Sequence, residues 1–314
     1  MTVAGTARPA PAPAATPAQA ARSARQRLGS RSAVWMVGPA VGLMLLFLLV
    51  PVVLAVGLSF TNARLVSPNS PEFVGLDNFR RVLFQDPTFL RSVVNTFIFA
   101  ALVVPLQGSL GLVMALLVNQ KIRGVTAFRT IYFLPVVTSI IVVSIVWTFM
   151  YQEGGLINSV LNALTGGAYV GRAWLQAPTT ALPAIVLLSI WQGVGFHMII
   201  WLSGLQTIPQ VQYEAADIDG ATGWQKFRHV TLPGLRPTLV FVIITITIAS
   251  LGLFAQVDVM TRGGPLDATT TIIYHGVRRG FREQEVGVGA AISLIFFVLV
   301  LAVSLIQRRI TRED

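Results

Sequence analysis

Six stretches of this chain contain no aspartate, glutamate, lysine or arginine: 32–63, 92–120, 130–152, 173–213, 237–257 and 286–307. Each can hold the ~20 apolar residues that cross about 30 Å of hydrocarbon as a helix. Inside lipid no water pairs a free backbone N–H or C=O, so such segments must be helical. A charge at the centre of a span would cost about 2.5–3.5 kcal/mol, which accounts for the clean runs. Charged residues are only 11% of the chain and hydrophobic ones 54%. A soluble domain carries about 25% charged residues, so much of this surface must face lipid. The predicted class is an all-α membrane protein with six transmembrane helices, at about 34–60, 92–118, 130–150, 181–206, 237–258 and 286–307. Pro39, Pro51, Pro105, Pro135 and Pro183 lie in or near these helices. Neighbouring helices can satisfy the carbonyls they free.

The net charge of +10 excludes little. Nucleic-acid binding needs a dense basic face, whereas here the 23 Lys and Arg are spread over the connections between apolar runs. No nucleic-acid partner is expected; membrane lipid is. The chain has no cysteine, so disulfides, thiolate metal sites and cysteine nucleophiles are excluded. Six spans put both ends on one side. With the N-terminus inside, the inner segments carry 14 of the 23 basic residues and the outer ones 9. The positive-inside rule then favours cytoplasmic N- and C-termini.

Residues 1–32 are rich in Ala and Pro with five arginines; they read as a disordered cytoplasmic tail. A transmembrane domain over 33–308 and a cytoplasmic end at 309–314 follow. The outer stretch 72–91 places Phe79, Val82 and Leu83 at helical spacing, with Asp77 and Asn78 as candidate caps. The outer stretch 153–172 is rich in glycine, and Tyr151, Tyr169 and Trp174 in and beside it suit an aromatic belt at the headgroups. The outer cations suit docking of a binding protein or of lipid headgroups.

The most informative segment is 207–236, the longest inner connection, whose charges stand between two charge-free runs. Pro209 suits the first turn of a helix that continues through Glu214, Ala215, Ala216 and Asp217. Gly220 offers a left-handed stop. A second short helix over 222–230 carries Trp224 and Phe227 on one side and Lys226 and Arg228 on another, and Leu232-Pro233 ends it. The reading is two short helices meeting at a glycine elbow.

Glu214-Ala215-Ala216, Asp219-Gly220-Ala221 and Leu232-Pro233, just before the fifth span, resemble the EAA loop of the permease subunits of ATP-binding-cassette importers. Two outer segments support the likeness. Phe73-Val74-Gly75-Leu76-Asp77-Asn78-Phe79 resembles the opening of the first outer loop in the sugar and glycerol-phosphate type of these permeases. Thr261-Arg262-Gly263-Gly264-Pro265 resembles their T-x-G-G-P segment. The likeness implies a type I importer permease architecture in its shorter, six-span form. It also implies a second permease subunit, mostly a different chain, two ATPase subunits and an extracytoplasmic substrate-binding protein. By this resemblance Glu214 and Asp219 would be polar anchors on an ATPase, Ala215 and Ala216 the close-packing face, and Gly220 the elbow. Asp217, Ala221, Leu232 and Pro233 complete the expected coupling site.

The chain contains no G-x-x-x-x-G-K-[ST], so it has no P-loop with which to cradle ATP phosphates. No cofactor is expected on it; ATP and Mg would be used by the partner ATPase. His197, His229 and His275 show no metal-ligand spacing, and neither catalysis nor a metal site is expected. For the translocation path, intramembrane ionisable groups are the default candidates. Only His197 and Asp258 qualify, joined by Asn95, Trp191, Gln192 and Gln256 and by the turn at Gly263, Gly264 and Pro265. A secondary transporter or a non-transporting membrane scaffold is the alternative reading, which the EAA-like loop disfavours.

Overall fold

The computed structural model describes residues 35–120 and 124–311. The expected disordered tail over 1–32, together with Lys121, Arg123 and residues 312–314, lies outside them. Every regular element among the described residues is helical; the one extended pairing is a bridge between Thr61 and Phe73.

The chain divides into two units at Leu54 and Ala55. The first is described as the opening part of a 25-residue apolar helix, α1 (Trp35–Ser59), which includes a π-helical stretch at Leu45–Leu49. The second unit holds the remaining elements. In chain order these are α2 (Asp77–Phe84), α3 (Pro87–Val118), α4 (Val125–Val137), α5 (Ile140–Met150), α6 (Leu156–Leu164) and α7 (Pro178–Thr207). They continue with α8 (Gln210–Ile218), α9 (Gly223–Lys226), α10 (Arg236–Leu251), α11 (Ala255–Met260), α12 (Ile272–Val277) and α13 (Val286–Thr311). Among the described residues five helical stretches are long and apolar enough to cross a membrane, α1, α3, α7, α10 with α11, and α13, and the bent pair of α4 and α5 makes a sixth if it is one span.

The third expected span, 130–150, is not one helix. α4 and α5 meet at 98°, with Thr138 and Ser139 extended between them. Pro135 in the last turn of α4 removes an N–H donor, and the chain leaves the helix three residues later. Pro105 and Pro183 sit inside helices that run on unbroken.

Lipid tails are as apolar as leucine, so helices in a membrane associate through close packing and hydrogen bonds. α3 and α7 form the main contact of the second unit in this way. Phe99, Val103 and Met114 are buried with Leu188, Met198 and Trp201. Trp201 Nε1 donates to the Gly108 carbonyl at 3.0 Å. Gly195 admits the backbone of α4: a β-carbon there would collide with the Tyr132 carbonyl.

α3 begins where Asp86 accepts from the Thr88 and Phe89 N–H groups at 3.0 and 3.2 Å, with Pro87 in the first turn. The expected caps of α2 are not used. Leu76 precedes that helix with no side-chain bond. Asn78 is buried and donates to the Ser59 and Thr61 carbonyls at 2.9 and 2.8 Å. Those carbonyls lie at and just beyond the end of α1 and need a donor, so Asn78 ties α2 to the preceding chain.

Candidate functional site

The 207–236 segment is two helical pieces around an elbow. Pro209 precedes α8 as its cap residue. Gly220 has φ 72°, and the Asp219 and Ala221 N–H groups return to the Ala215 and Ala216 carbonyls at 3.0 and 2.9 Å. This is the left-handed closure that satisfies the last carbonyls of a helix. Thr222 and Gln225 then form a capping box: Thr222 N–H donates to Gln225 Oε1 at 2.7 Å, and Gln225 N–H to Thr222 Oγ1 at 3.4 Å. The T-x-x-Q spacing is the sequence sign of this start.

Two contacts fix the angle. Lys226 Nζ lies 2.7 Å from Asp217 Oδ1, and the Tyr213 and Thr231 hydroxyls meet at 3.0 Å. Beyond Lys226 the helix continues as a π-helical stretch, Phe227–Thr231, and one more turn, Leu232–Gly234. Leu232-Pro233 therefore does not end the second helix, which runs on to Gly234 with Pro233 in its final piece.

A concavity of about 600 Å³ opens at the elbow, lined by Ala215, Ala216, Asp219, Gly220 and Ala221 with Gln225, Lys226 and His229 among others. Five of the nine expected coupling residues share this wall. Glu214 is exposed, Asp217 is held by Lys226, and Leu232 and Pro233 lie outside the concavity. Large apolar side chains flank it in the open: Ile218 is 87% exposed and Trp224 67%, and Trp224 stacks on Phe227 at 5.5 Å.

At the opposite, expected outer face, Gly263 takes φ 84° and Gly264-Pro265 is a cis peptide. Thr269 Oγ1 donates to the Gly264 carbonyl at 2.8 Å and Thr270 Oγ1 to the Gly263 carbonyl at 3.0 Å. Asn95 of α3 donates to the Asp267 and Thr270 carbonyls at 2.9 and 3.0 Å. Asn95 is thus an anchor for this turn.

A cavity of about 780 Å³ lies against the turn, bordered by Met260, Thr261, Gly264 and Pro265 and, across from them, by Thr148, Tyr151, Gln152, Glu153 and Gln176. Of the candidate path residues only Gly264 and Pro265 border it. Asp258 is ion-paired with Arg282, which also donates to the Tyr274 hydroxyl at 3.0 Å. Gln256 and Gly263 are not on the cavity wall. His197 is buried between α7 and α3, its Nδ1 2.8 Å from Gln107 Nε2 and 3.0 Å from the Gly193 carbonyl. Trp191 packs on Trp147 at 5.4 Å, and neither it nor Gln192 reaches the cavity. Tyr151, Gln152, Glu153 and Gln176 were missed because they sit at span ends, where sequence offers no period to distinguish them. Tyr151 donates its hydroxyl to the Ala184 carbonyl at 2.8 Å, and burial pushes its phenol well above the usual range.

Most of the arginines expected on the outer side are occupied within the fold. Arg81 pairs with Glu285 at 3.1 Å, Arg278 with Asp267 at 3.2 Å, and Arg279 with Glu283 and Glu285 at 2.7 and 2.9 Å. His275 is buried among them. Its Nε2 lies 2.9 Å from Asp86 Oδ2 and its Nδ1 3.3 Å from Arg278 Nη2. The neutral ring with the proton on Nε2 satisfies both contacts, donating to the carboxylate and accepting from the guanidinium. Burial and the two arginines hold the His275 pKa below its ordinary value, against the pull of Asp86. For Asp86, burial opposes ionisation, but the bonds and charges of His275, Phe89 N–H and Arg279 outweigh it and hold the carboxyl low.

A family model, described as the binding-protein-dependent transport system inner membrane component, matches residues 107–313. The chain is 36% identical over 278 residues to the trehalose/maltose transport system permease protein MalF of Thermococcus litoralis, covering 88% of this chain and 92% of that one. It is 36% identical over 244 residues to the sn-glycerol-3-phosphate transport system permease protein UgpA of Yersinia pestis, covering 76% of this chain and 80% of that one. Its fold matches a chain of a bacterial alginate ABC transporter solved with an alginate pentasaccharide-bound periplasmic protein: TM-score 0.78 at 24% identity, over 91% of this chain and 98% of that one. These relatives are transport components, and ATP hydrolysis belongs to a partner. The chain belongs to the binding-protein-dependent transport system inner membrane components and is a permease subunit of an ABC importer.

Proposed function

We propose that this permease forms half of the translocation path for a carbohydrate or glycerol-phosphate-type solute in the cell membrane. It pairs with a second, different permease subunit above two ATP-binding-cassette ATPases, which use ATP and Mg. A substrate-binding protein delivers the solute at the face that carries the 780 Å³ cavity. Both termini are cytoplasmic, so the 207–236 elbow faces the ATPases. The names of the trehalose/maltose and glycerol-3-phosphate relatives support the solute class.

The observation that carries the coupling role is the elbow itself. Ala215, Ala216 and Gly220 wall an open concavity flanked by exposed Ile218 and Trp224, a surface shaped to seat against another protein. The loop is fixed at both ends by spans, α7 and α10, and internally by Lys226–Asp217 and Tyr213–Thr231. Movement of an ATPase is therefore passed to the spans as a rigid displacement, the basis of alternating access by rocking. Inverting a 1:99 equilibrium between the two access states requires about 5.5 kcal/mol of differential binding, which ATP and the binding protein supply together.

The test is isolation of the chain from its native membranes in mild detergent, wild type against Ala216→Glu. A P-loop ATPase and a second permease should accompany the wild type, with the ATPase depleted in the variant and the second permease retained. A chain that isolates alone contradicts the reading.

A further inference from the structure

Between α5 and α7 the chain makes a small structure of its own. α6 carries no charge (LINSVLNAL) and presents three faces. Ile157 and Asn158 turn inward: Ile157 packs on the main core, and Asn158 is buried. Asn158 donates to the Gln152, Glu153 and Arg172 carbonyls at 2.8, 3.1 and 2.8 Å and accepts from Trp174 Nε1 at 2.8 Å. This side chain locks the helix onto the ends of the flanking segments. Ser159 and Asn162 form a polar exposed stripe. Leu156, Val160 and Leu164, each four residues from the last, form an exposed apolar stripe, from 47% at Val160 to 79% at Leu164. At 100° per residue these three lie within one 80° arc.

An open apolar stripe of this kind marks a contact surface. α6 starts six residues after the end of the apolar helix α5, and its loop returns to the start of the membrane-crossing α7, so it sits at the depth where the apolar layer ends. Ile145, Val146 and Phe149 of α5, the apolar helix just before it, are likewise exposed. At the base of the loop the Arg172 guanidinium lies 5.9 and 5.7 Å from the Tyr169 and Trp174 ring centres. Aromatic rings and a cation together mark headgroup depth.

We propose that α6 is an interfacial anchor: Leu156, Val160 and Leu164 insert into the outer leaflet and Arg172 sits at the level of the lipid phosphates. A helix with separate apolar and polar faces and no buried charge binds in this way, its apolar side about 5–10 Å into the boundary between headgroups and acyl chains. The anchor has a consequence for the permease. Glu153, Gly154 and Ala173, which border the 780 Å³ cavity, belong to the backbone that Asn158 holds. The lipid surface thus fixes one wall of the cavity while the turn at Gly264-Pro265 forms the other. The assignment to the outer leaflet rests on the sidedness proposed above; the insertion itself does not.

The chain has no cysteine, so a single label can be placed on it at a chosen position. In the complete complex in liposomes, spin labels at Val160→Cys, Leu164→Cys and Ser159→Cys would be compared for collision with oxygen and with a water-soluble nickel chelate. The cysteine-free chain in the same complex supplies the baseline. We expect positions 160 and 164 to favour oxygen several-fold more than 159, which favours the chelate. Equal preference for the chelate at all three sites, or inaccessibility of 160 and 164 to both collision partners, as under a covering subunit, overturns the proposal. Whether a membrane-impermeant maleimide reaches Ser159→Cys from outside the vesicle reports sidedness separately, so failure of the topology and failure of the anchor give different results.

Discussion

Lys226 Nζ and Asp217 Oδ1 lie 2.7 Å apart across the elbow that Gly220 makes between α8 and α9. The lysine side chain is 28% exposed and the aspartate 60%, so the pair adds at most about 1 kcal/mol to stability. Its role is to hold an angle. Asp217→Asn and Lys226→Met should leave the melting temperature of the purified complex nearly unchanged while lowering ATPase turnover driven by the loaded binding protein. Exchanging the two charges in Asp217→Lys with Lys226→Asp should restore part of that turnover. A double variant no better than the singles would show that the pair is incidental.

Gly263 is required twice over. Its φ of 84° disfavours any side chain, and a β-carbon would stand 2.5 Å from Thr270 Oγ1 and 2.7 Å from the Tyr274 ring. Gly263→Ala should destabilise by about 2–4 kcal/mol, the sum of left-handed strain and a steric clash. Gly264→Ala meets only the Thr261 carbonyl at 3.3 Å and should cost less. Thermal unfolding of the two variants in detergent checks the order.

Asn158 spends one side chain on four partners. Asn158→Leu keeps the branched outline of the side chain but leaves the Gln152, Glu153 and Arg172 carbonyls and the Trp174 indole without it. Leaving such groups unpaired costs about 1–3 kcal/mol each where water cannot replace the bond. Amide exchange over 152–174 should rise in the variant while α3 stays protected. Unchanged exchange in the loop would mean the hairpin holds without Asn158.

Acid should loosen the face that carries His275. The His275 pKa is depressed in the folded state, so between that value and the ordinary ~6.5 the unfolded chain binds more protons. The neutral ring's contribution is complete above about 6.5 and is lost as pH falls through the depressed folded pKa. Asp86, also depressed, adds the same sign at lower pH, below its ordinary 3.8. Protonation puts an N–H on the Nδ1 that faces Arg278, which turns an acceptor into a repulsive donor. Melting temperature should fall from about pH 7 to about pH 5, and His275→Asn should flatten that slope while lowering stability overall. A slope that the variant leaves intact would place the titration elsewhere.

Much of the fold was legible because charge is costly in hydrocarbon. The clean runs at 92–120, 173–213, 237–257 and 286–307 became α3, α7, α10 with α11, and α13. The bend between α4 and α5 was not legible, since Pro135 has the same sequence sign as Pro105 and Pro183, which helices absorb. What differs is the tertiary setting, where α4 packs on α7 through Gly195. The elbow was legible at Gly220 because left-handed backbone has a residue preference. Its strut was not, because Asp217 and Lys226 lie nine residues apart and meet only once the chain has turned. Asn95, singled out as a polar group in a span, proved to be an anchor for the 261–271 turn. Polarity marks a residue that must find a partner and does not reveal which partner it finds.

The most direct test of the central claim is a crosslink from the elbow. Ile218, 87% exposed beside the concavity, would be replaced by a single cysteine carrying a benzophenone and illuminated in native membranes. The adduct should be with a P-loop ATPase subunit, and Ala216→Glu in the same chain should abolish it. An adduct only with lipid, or none at all, would contradict the coupling role of this loop.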